Sequence, residues 1–251
     1  MTIEEKLNKI AENVPKVYKA GVDVGIKEGK RVEYEAFWDM VQVNGTRANY
    51  DSGFMRWGGE YIRPKYKVVP TVDASRKFTF KGNASLKRIE KEYFDFSQCP
   101  KGTMNDHGYY QTFYNCESLE VVEDVGMNNA YSFYSTFAYS SKLHTIECIY
   151  PDEDTVFSQA FLSCRNLVYL RVDGIIGRNG FNVQDSKKLD KESISSIINA
   201  LSTTTTGLTV TLSIDAVNKA FETSVGANDG EKSPEWATLT ATRSDWNISL
   251  L

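Results

Sequence analysis

Thr112-Phe113-Tyr114-Asn115-Cys116-Glu117-Ser118-Leu119, Thr136-Phe137-Ala138-Tyr139-Ser140-Ser141-Lys142-Leu143 and Ala160-Phe161-Leu162-Ser163-Cys164-Arg165-Asn166-Leu167 are one phrase written three times. The phenylalanines are spaced 137 − 113 = 24 and 161 − 137 = 24 residues, and Leu119, Leu143 and Leu167 keep the same step. A fixed step of this size marks one supersecondary unit repeated, each burying its apolar face against its neighbours. Phe80, Leu86 and Ile89 begin the pattern earlier, since Phe80 to Leu86 spans the same six residues as Phe113 to Leu119. The step from Phe80 to Phe113 is 33, which leaves an insertion of 33 − 24 = 9 residues near Phe94–His107.

The cysteines follow the same period. Cys116 and Cys164 are two steps apart, and Ser140 stands midway. Residues two turns apart in a stack with strand spacing of about 4.8 Å lie about 10 Å apart, beyond the reach of a disulfide. Both cysteines therefore read as small core fillers, and Ser140 supports a requirement of size. Neither Cys99 nor Cys148 forms a CxxC pair.

On the N-terminal side, Thr2 and Glu5 form a capping box ahead of Ile3, Leu7, Ile10 and Val14 at helical spacing. That narrow seam, flanked by balanced charge, reads as a helix that pairs, a second copy of this chain being one partner, or as a solvated arm lying on its own domain. Pro15 and then Gly21, Gly25 and Gly29 interrupt it. A second short helix is expected over Tyr34–Val43. Residues 46–79 carry glycine, proline and scattered aromatics and read as a loop-rich cap over the first unit.

On the C-terminal side, Gly174, Gly177 and Gly180 form a GxxGxxG cluster that lacks the GxGxxG spacing and a following helix, so they read as turn glycines. A helix starts at Asp190 or Lys191 and buries Ile194, Ile197, Ile198 and Leu201. Leu208–Leu212 alternates as a strand, Ser213 caps a helix with Val217, Ala220 and Phe221, Gly226–Ser233 is a surface loop, and Pro234 opens a helix with Trp236 and Leu239. Asp245–Leu250 is a last strand. The resulting division is 1–45 an N-terminal helical segment, 46–79 a loop-rich N-terminal cap, 80–185 the repeats, and 186–251 a helix-strand-helix-strand cap.

Composition narrows the function. The 251 residues are 41% hydrophobic and carry a net charge of −4, which argues against a basic nucleic-acid-binding surface. No run approaches the roughly 18 apolar residues of a membrane span. Met1–Ile10 is too charged for a signal peptide, so export by the usual route is not expected. The only two histidines, His107 and His144, make no HxxxH or HExxH motif, and His144 reads as an exposed strand-edge residue. Asp152-Glu153-Asp154 lacks EF-hand spacing and reads as a turn after Pro151. Neither GxSxG nor a P-loop is present. No catalytic residue, metal ligand or cofactor is assigned, and the chain reads as a non-enzyme.

The pattern Ala/Thr-Phe-x-x-Cys/Ser-x-x-Leu-x-x-Ile/Val/Leu is similar to the BspA-like, or Treponema-type, leucine-rich repeat. It matches at Phe113/Cys116/Leu119/Val122, Phe137/Ser140/Leu143/Ile146 and Phe161/Cys164/Leu167/Leu170, and more weakly at Phe80/Leu86/Ile89, where Asn83 replaces the cysteine. The flanks resemble leucine-rich-repeat proteins of phages and prophages in gut Firmicutes, which start with a short charged helix and close on a segment like Trp246-Asn247-Ile248-Ser249. The resemblance implies an α/β fold: a short leucine-rich-repeat solenoid of about four to five turns, with an N-terminal helical cap and a mixed α/β C-terminal cap.

On that reading Leu119–Val125, Leu143–Ile149 and Leu167–Asp173 are strands of a stacked parallel sheet. Leu119, Val122, Leu143, Ile146, Leu167 and Leu170 point inward, with Cys148 or Ile149 as a third inward residue. Alternation then turns Val121, Glu123, Thr145, Glu147, Tyr169 and Arg171 outward as the candidate binding residues. The expected function is a noncatalytic recognition or structural module, tail-associated or host-contacting. Its partners would be a protein or glycan on a host cell surface, or other virion proteins. It would be virion-associated, or cytoplasmic if encoded by a prophage. The alternatives are a cell-surface adhesin and, from another class, a hydrolase with a carboxylate pair.

Overall fold

The computed structural model describes residues 80–97, 108–128, 130–226 and 231–251. The helices expected over Ile3–Val14 and Tyr34–Val43, the cap at 46–79, Cys99 and His107 lie outside the described residues, as does the pairing expected of the first helix. The fold is mixed α/β with parallel sheets. Strands β1 (Arg88–Ile89), β2 (Val121–Val122), β3 (Thr145–Ile149) and β4 (Tyr169–Val172) pair in that order, all parallel. The register runs Arg88–Val121–Thr145–Tyr169 and, beside it, Ile89–Val122–Ile146–Leu170.

The strands are shorter than the alternation predicts. Each begins two residues after its leucine, because Leu119, Leu143 and Leu167 donate their N–H groups to the carbonyls of Cys116, Ser140 and Cys164, at 3.0, 3.1 and 3.2 Å. A backbone group used in that turn cannot also join the ladder. All six residues expected to point inward are fully buried. At the end of β3 the register shifts between Ile146 and Ile149, so Cys148 and Ile149 are both buried, and Ile149 pairs with Val172.

Phe80, Phe113, Phe137 and Phe161 stack with centroids 5.4, 5.5 and 5.7 Å apart and ring planes within 10°. A second column, which the sequence reading missed, stacks Tyr109, Phe133 and Phe157 at 5.1 and 5.4 Å. Phe181 ends both columns, meeting Phe157 edge-on and Phe161 at a tilt. Each such pair adds about 0.5–1.5 kcal/mol beyond area burial.

The turns carrying these rings have left-handed residues at matched places. Gln111, Ser135 and Gln159 have φ of 51°, 49° and 58°, and Asn115, Tyr139 and Ser163 have φ of 55°, 63° and 61°. The conformation costs about 1–2 kcal/mol per residue. It is offset where the freed N–H reaches the next segment, as Ser135 N–H does to Ser158 O (3.0 Å) and Tyr139 N–H to Leu162 O (2.8 Å).

Helix α1 (Lys191–Ala200) is capped by Asp190, whose Oδ1 accepts the Ser193 N–H at 2.8 Å. It closes the sheet edge with hydroxyls. The Leu170 N–H donates to Ser193 Oγ (2.9 Å), the Val172 N–H donates to Ser196 Oγ (3.2 Å), and Ser196 donates back to Leu170 O. An edge so occupied cannot recruit another strand. Beyond it, β5 (Thr209–Leu212) pairs in parallel with β6 (Asn247–Leu250), and α2 (Ile214–Phe221) and α3 (Pro234–Ala241) carry serine N-caps, Ser213 and Ser233. Trp246 anchors this end, its Nε1–H donating to Ser202 O at 2.9 Å. Among the described residues no helix is long and apolar enough to cross a membrane.

Candidate functional site

The period positions the Cys/Ser column first. Each member donates to a carbonyl of an earlier phenylalanine: Cys116 Sγ to Phe80 O (2.9 Å), Ser140 Oγ to Phe113 O (2.7 Å) and Cys164 Sγ to Phe137 O (3.1 Å). Burial pushes the Cys116 thiol up to about 12 and raises that of Cys164, so both keep their proton at neutral pH. Each side chain in this column is thus both small and a hydrogen-bond donor.

The six residues expected to point outward form two short rows on and beside β2, β3 and β4. Val121, Thr145 and Tyr169 lie in one row behind Arg88, and Glu123, Glu147 and Arg171 share the next at the same 24-residue step. Their exposure is uneven. Arg171 is exposed; Glu123, Thr145, Glu147 and Tyr169 are half-buried. Val121, expected to face outward, is only 9% exposed, held in register between Arg88 and Thr145.

Most of the polar groups in these rows bond to their neighbours. Arg88 donates Nε–H and Nη2–H to Glu123 Oε1 at 2.8 and 2.6 Å, and the Lys91 N–H donates to Oε2 at 2.9 Å. Burial alone would raise the Glu123 carboxyl. The Lys91 amide and the Arg88 guanidinium outweigh it and hold the group below the usual glutamate range. Glu147 Oε2 accepts the Asp124 N–H (3.0 Å), Tyr169 OH donates to Glu192 Oε1 (3.2 Å), and Arg171 pairs with Asp173 at 3.0 Å. Asp124, Tyr150 and Asp173 were not among the predicted residues, although they belong to the same surface. His144 is exposed, its Nδ1 2.9 Å from Thr145 Oγ1.

At the β1–β2 end this surface runs into a cavity of about 450 Å³ lined by Lys91, Asp95, Asp124, Asn128 and Tyr150. Tyr150 OH donates to Asp124 Oδ2 at 2.7 Å, and burial followed by that bond raises the phenol. Asp124 Oδ1 accepts the Gly126 N–H at 3.2 Å, and Asp95 Oδ1 accepts from Ser97 at 2.6 Å. Two carboxylates thus share a cavity. Among the described residues no group of three or more histidine, cysteine, aspartate or glutamate side chains could hold a metal ion.

The glycine cluster is structural. A Cβ at Gly174 would run into the Pro151 carbonyl oxygen, and one at Gly177 into Glu153, while Gly180 has φ of 101°. Asp152–Asp154 is the expected turn and is tied back to the C-terminal part. Glu153 Oε1 accepts from Ser202 (2.9 Å) and from Thr204, and Asp154 pairs with Arg178 at 2.9 Å. No family model, curated protein or solved structure matches the chain.

Proposed function

We propose that residues 80–185 are a short leucine-rich-repeat solenoid of the BspA-like type, and that the chain is a noncatalytic recognition or structural module. The observation that carries this reading is the 24-residue step shared by parallel strands, two ring columns and the Cys/Ser donor column. A rigid stack of this kind presents side chains at fixed spacing, which suits contact with a protein or glycan. The half-buried rows bear charge and tyrosine and end in the ion pair of the exposed Arg171 with Asp173, a surface suited to recognition. With the flanks resembling those of phage and prophage proteins, the role is tail-associated or host-contacting. A bacterial cell-surface adhesin is the nearest alternative.

The test is binding of the fluorescently labelled full chain to intact cells of a panel of Firmicutes. Saturable binding that is lost in the Tyr169→Ala, Arg171→Glu double variant supports recognition through the strand rows. Binding to no cell type, or binding unchanged in that variant, contradicts it.

A hydrolase reading takes support from the cavity shared by Asp95 and Asp124. It is the weaker reading, because both oxygens of Asp124 already accept bonds that hold the surrounding chain. Hydrolysis of a glycoside panel that is abolished by Asp124→Asn would favour it.

A further inference from the structure

A second cleft, of about 400 Å³, opens away from the strand rows, between the ring-bearing turns 158–162 and 179–185 and the start of β5. Its size falls in the range of small-molecule sites. Its apolar floor is Leu162 over the buried Phe161, and the rest of the lining is hydroxyls, amides and the Asp185 carboxylate. Some of these groups are spent on the fold. Asn182 Oδ1 accepts the Gln184 N–H (2.9 Å), Asp185 Oδ2 accepts the Ser163 N–H (2.8 Å), and Asn179 Oδ1 accepts the Thr209 N–H (2.7 Å). These bonds fix the side chains in place. Among the described residues, Ser158 Oγ, Thr211 Oγ1, Gln159 Nε2 and Asp185 Oδ1 take no partner, and all four residues line the cleft. Preorganised donors and acceptors over an apolar floor are what a polyhydroxylated ring requires.

The approach to the cleft is aromatic. Tyr110 and Tyr134 stack at 4.9 Å, and the next place at the 24-residue step is Ser158, in the cleft wall. Tyr139, 41% exposed, donates its N–H to Leu162 O on the floor. A column that is tyrosine at two steps and serine at the third puts a small residue in the cleft wall one step beyond the Tyr134 ring. The sole charged side chain in the lining is Asp185, so an anionic ligand is disfavoured.

We infer that this cleft is a subsite for a neutral sugar ring, with the tyrosines as the platform for the next ring of a chain. The inference rests on the recognition reading and adds a ligand contact at the turns to the one proposed at the strand rows.

The experiment is titration of the isotope-labelled full chain with glucose, galactose, mannose, N-acetylglucosamine, lactose and cellobiose, following backbone amide shifts, with sialyllactose as the anionic control. The expected result is saturable binding of at least one neutral sugar, with shifts at 158–162, 179–185 and 209–211, and weaker binding of sialyllactose. A Gln159→Ala, Thr211→Val variant that melts as the parent does should bind about tenfold more weakly. Sugar binding that maps to residues 121–123, 145–147 and 169–171 overturns the cleft assignment and leaves the recognition reading standing. Binding of no sugar below about 10 mM also overturns the assignment, while cell binding through Tyr169 and Arg171 judges the recognition reading separately.

Discussion

Ser140 carries the clearest test of the donor column. Its Oγ donates to Phe113 O at 2.7 Å and accepts the Cys116 N–H at 3.2 Å, with the side chain fully buried. Ser140→Ala leaves the carbonyl without that donor in the core, which costs about 1–3 kcal/mol. Ser140→Cys restores the donor found at Cys116 and Cys164 and should recover most of that loss in denaturant titration. Equal stability of the two variants would mean that size alone is selected. Glu123 makes a pH-dependent contribution whose sign follows from its lowered carboxyl. The stabilisation is fully present above the unfolded glutamate value, about 4.3, and is lost as pH falls through the lower folded value. Denaturation midpoints should therefore fall more steeply for the wild type than for Glu123→Gln on acidification below about pH 4.3, and parallel curves would remove Glu123 from the pH response.

At the scale of the element, the turns are as constrained as the strands. Gly174 lies against Pro151, so the methyl of Gly174→Ala meets backbone that cannot swing aside. The expected loss is about 1–3 kcal/mol, as for overpacking, read as a lower denaturation midpoint with an unchanged slope. An unchanged midpoint would mean that the two turns separate without cost. The step, the inward residues, the Ser213 cap and the helix starts at Asp190 or Lys191 and at Pro234 were legible because burial and capping demand particular residue types at set intervals. The second ring column obeys the same interval, 133 − 109 = 24 and 157 − 133 = 24, and was legible though not read. The left-handed residues were not legible, since Gln111, Ser135 and Tyr139 have no intrinsic preference for positive φ. Nor was the use of Ser193 and Ser196 to close the sheet edge, which depends on where α1 docks.

For the whole molecule, periodicity predicts neighbours one step apart and is blind to what returns from farther along the chain. It therefore identified the strand rows and could not see that Val121 would be covered, or that Thr209 and Thr211 would meet Gln159 and Asp185 across one cleft. Residues 80–185 are proposed above to be stacked units, each leaning on its neighbours. The most direct measurement compares two deletions by thermal unfolding. Removing residues 138–161 joins Phe137 to Leu162, so Phe137 takes the place of Phe161 and every column stays in register. Removing half that length, residues 138–149, sets ring-bearing turns against strand residues. The stacked account predicts a single cooperative transition for the full-step deletion and none for the half-step deletion. Equal loss of cooperative folding in both, or equal tolerance of both, would contradict it.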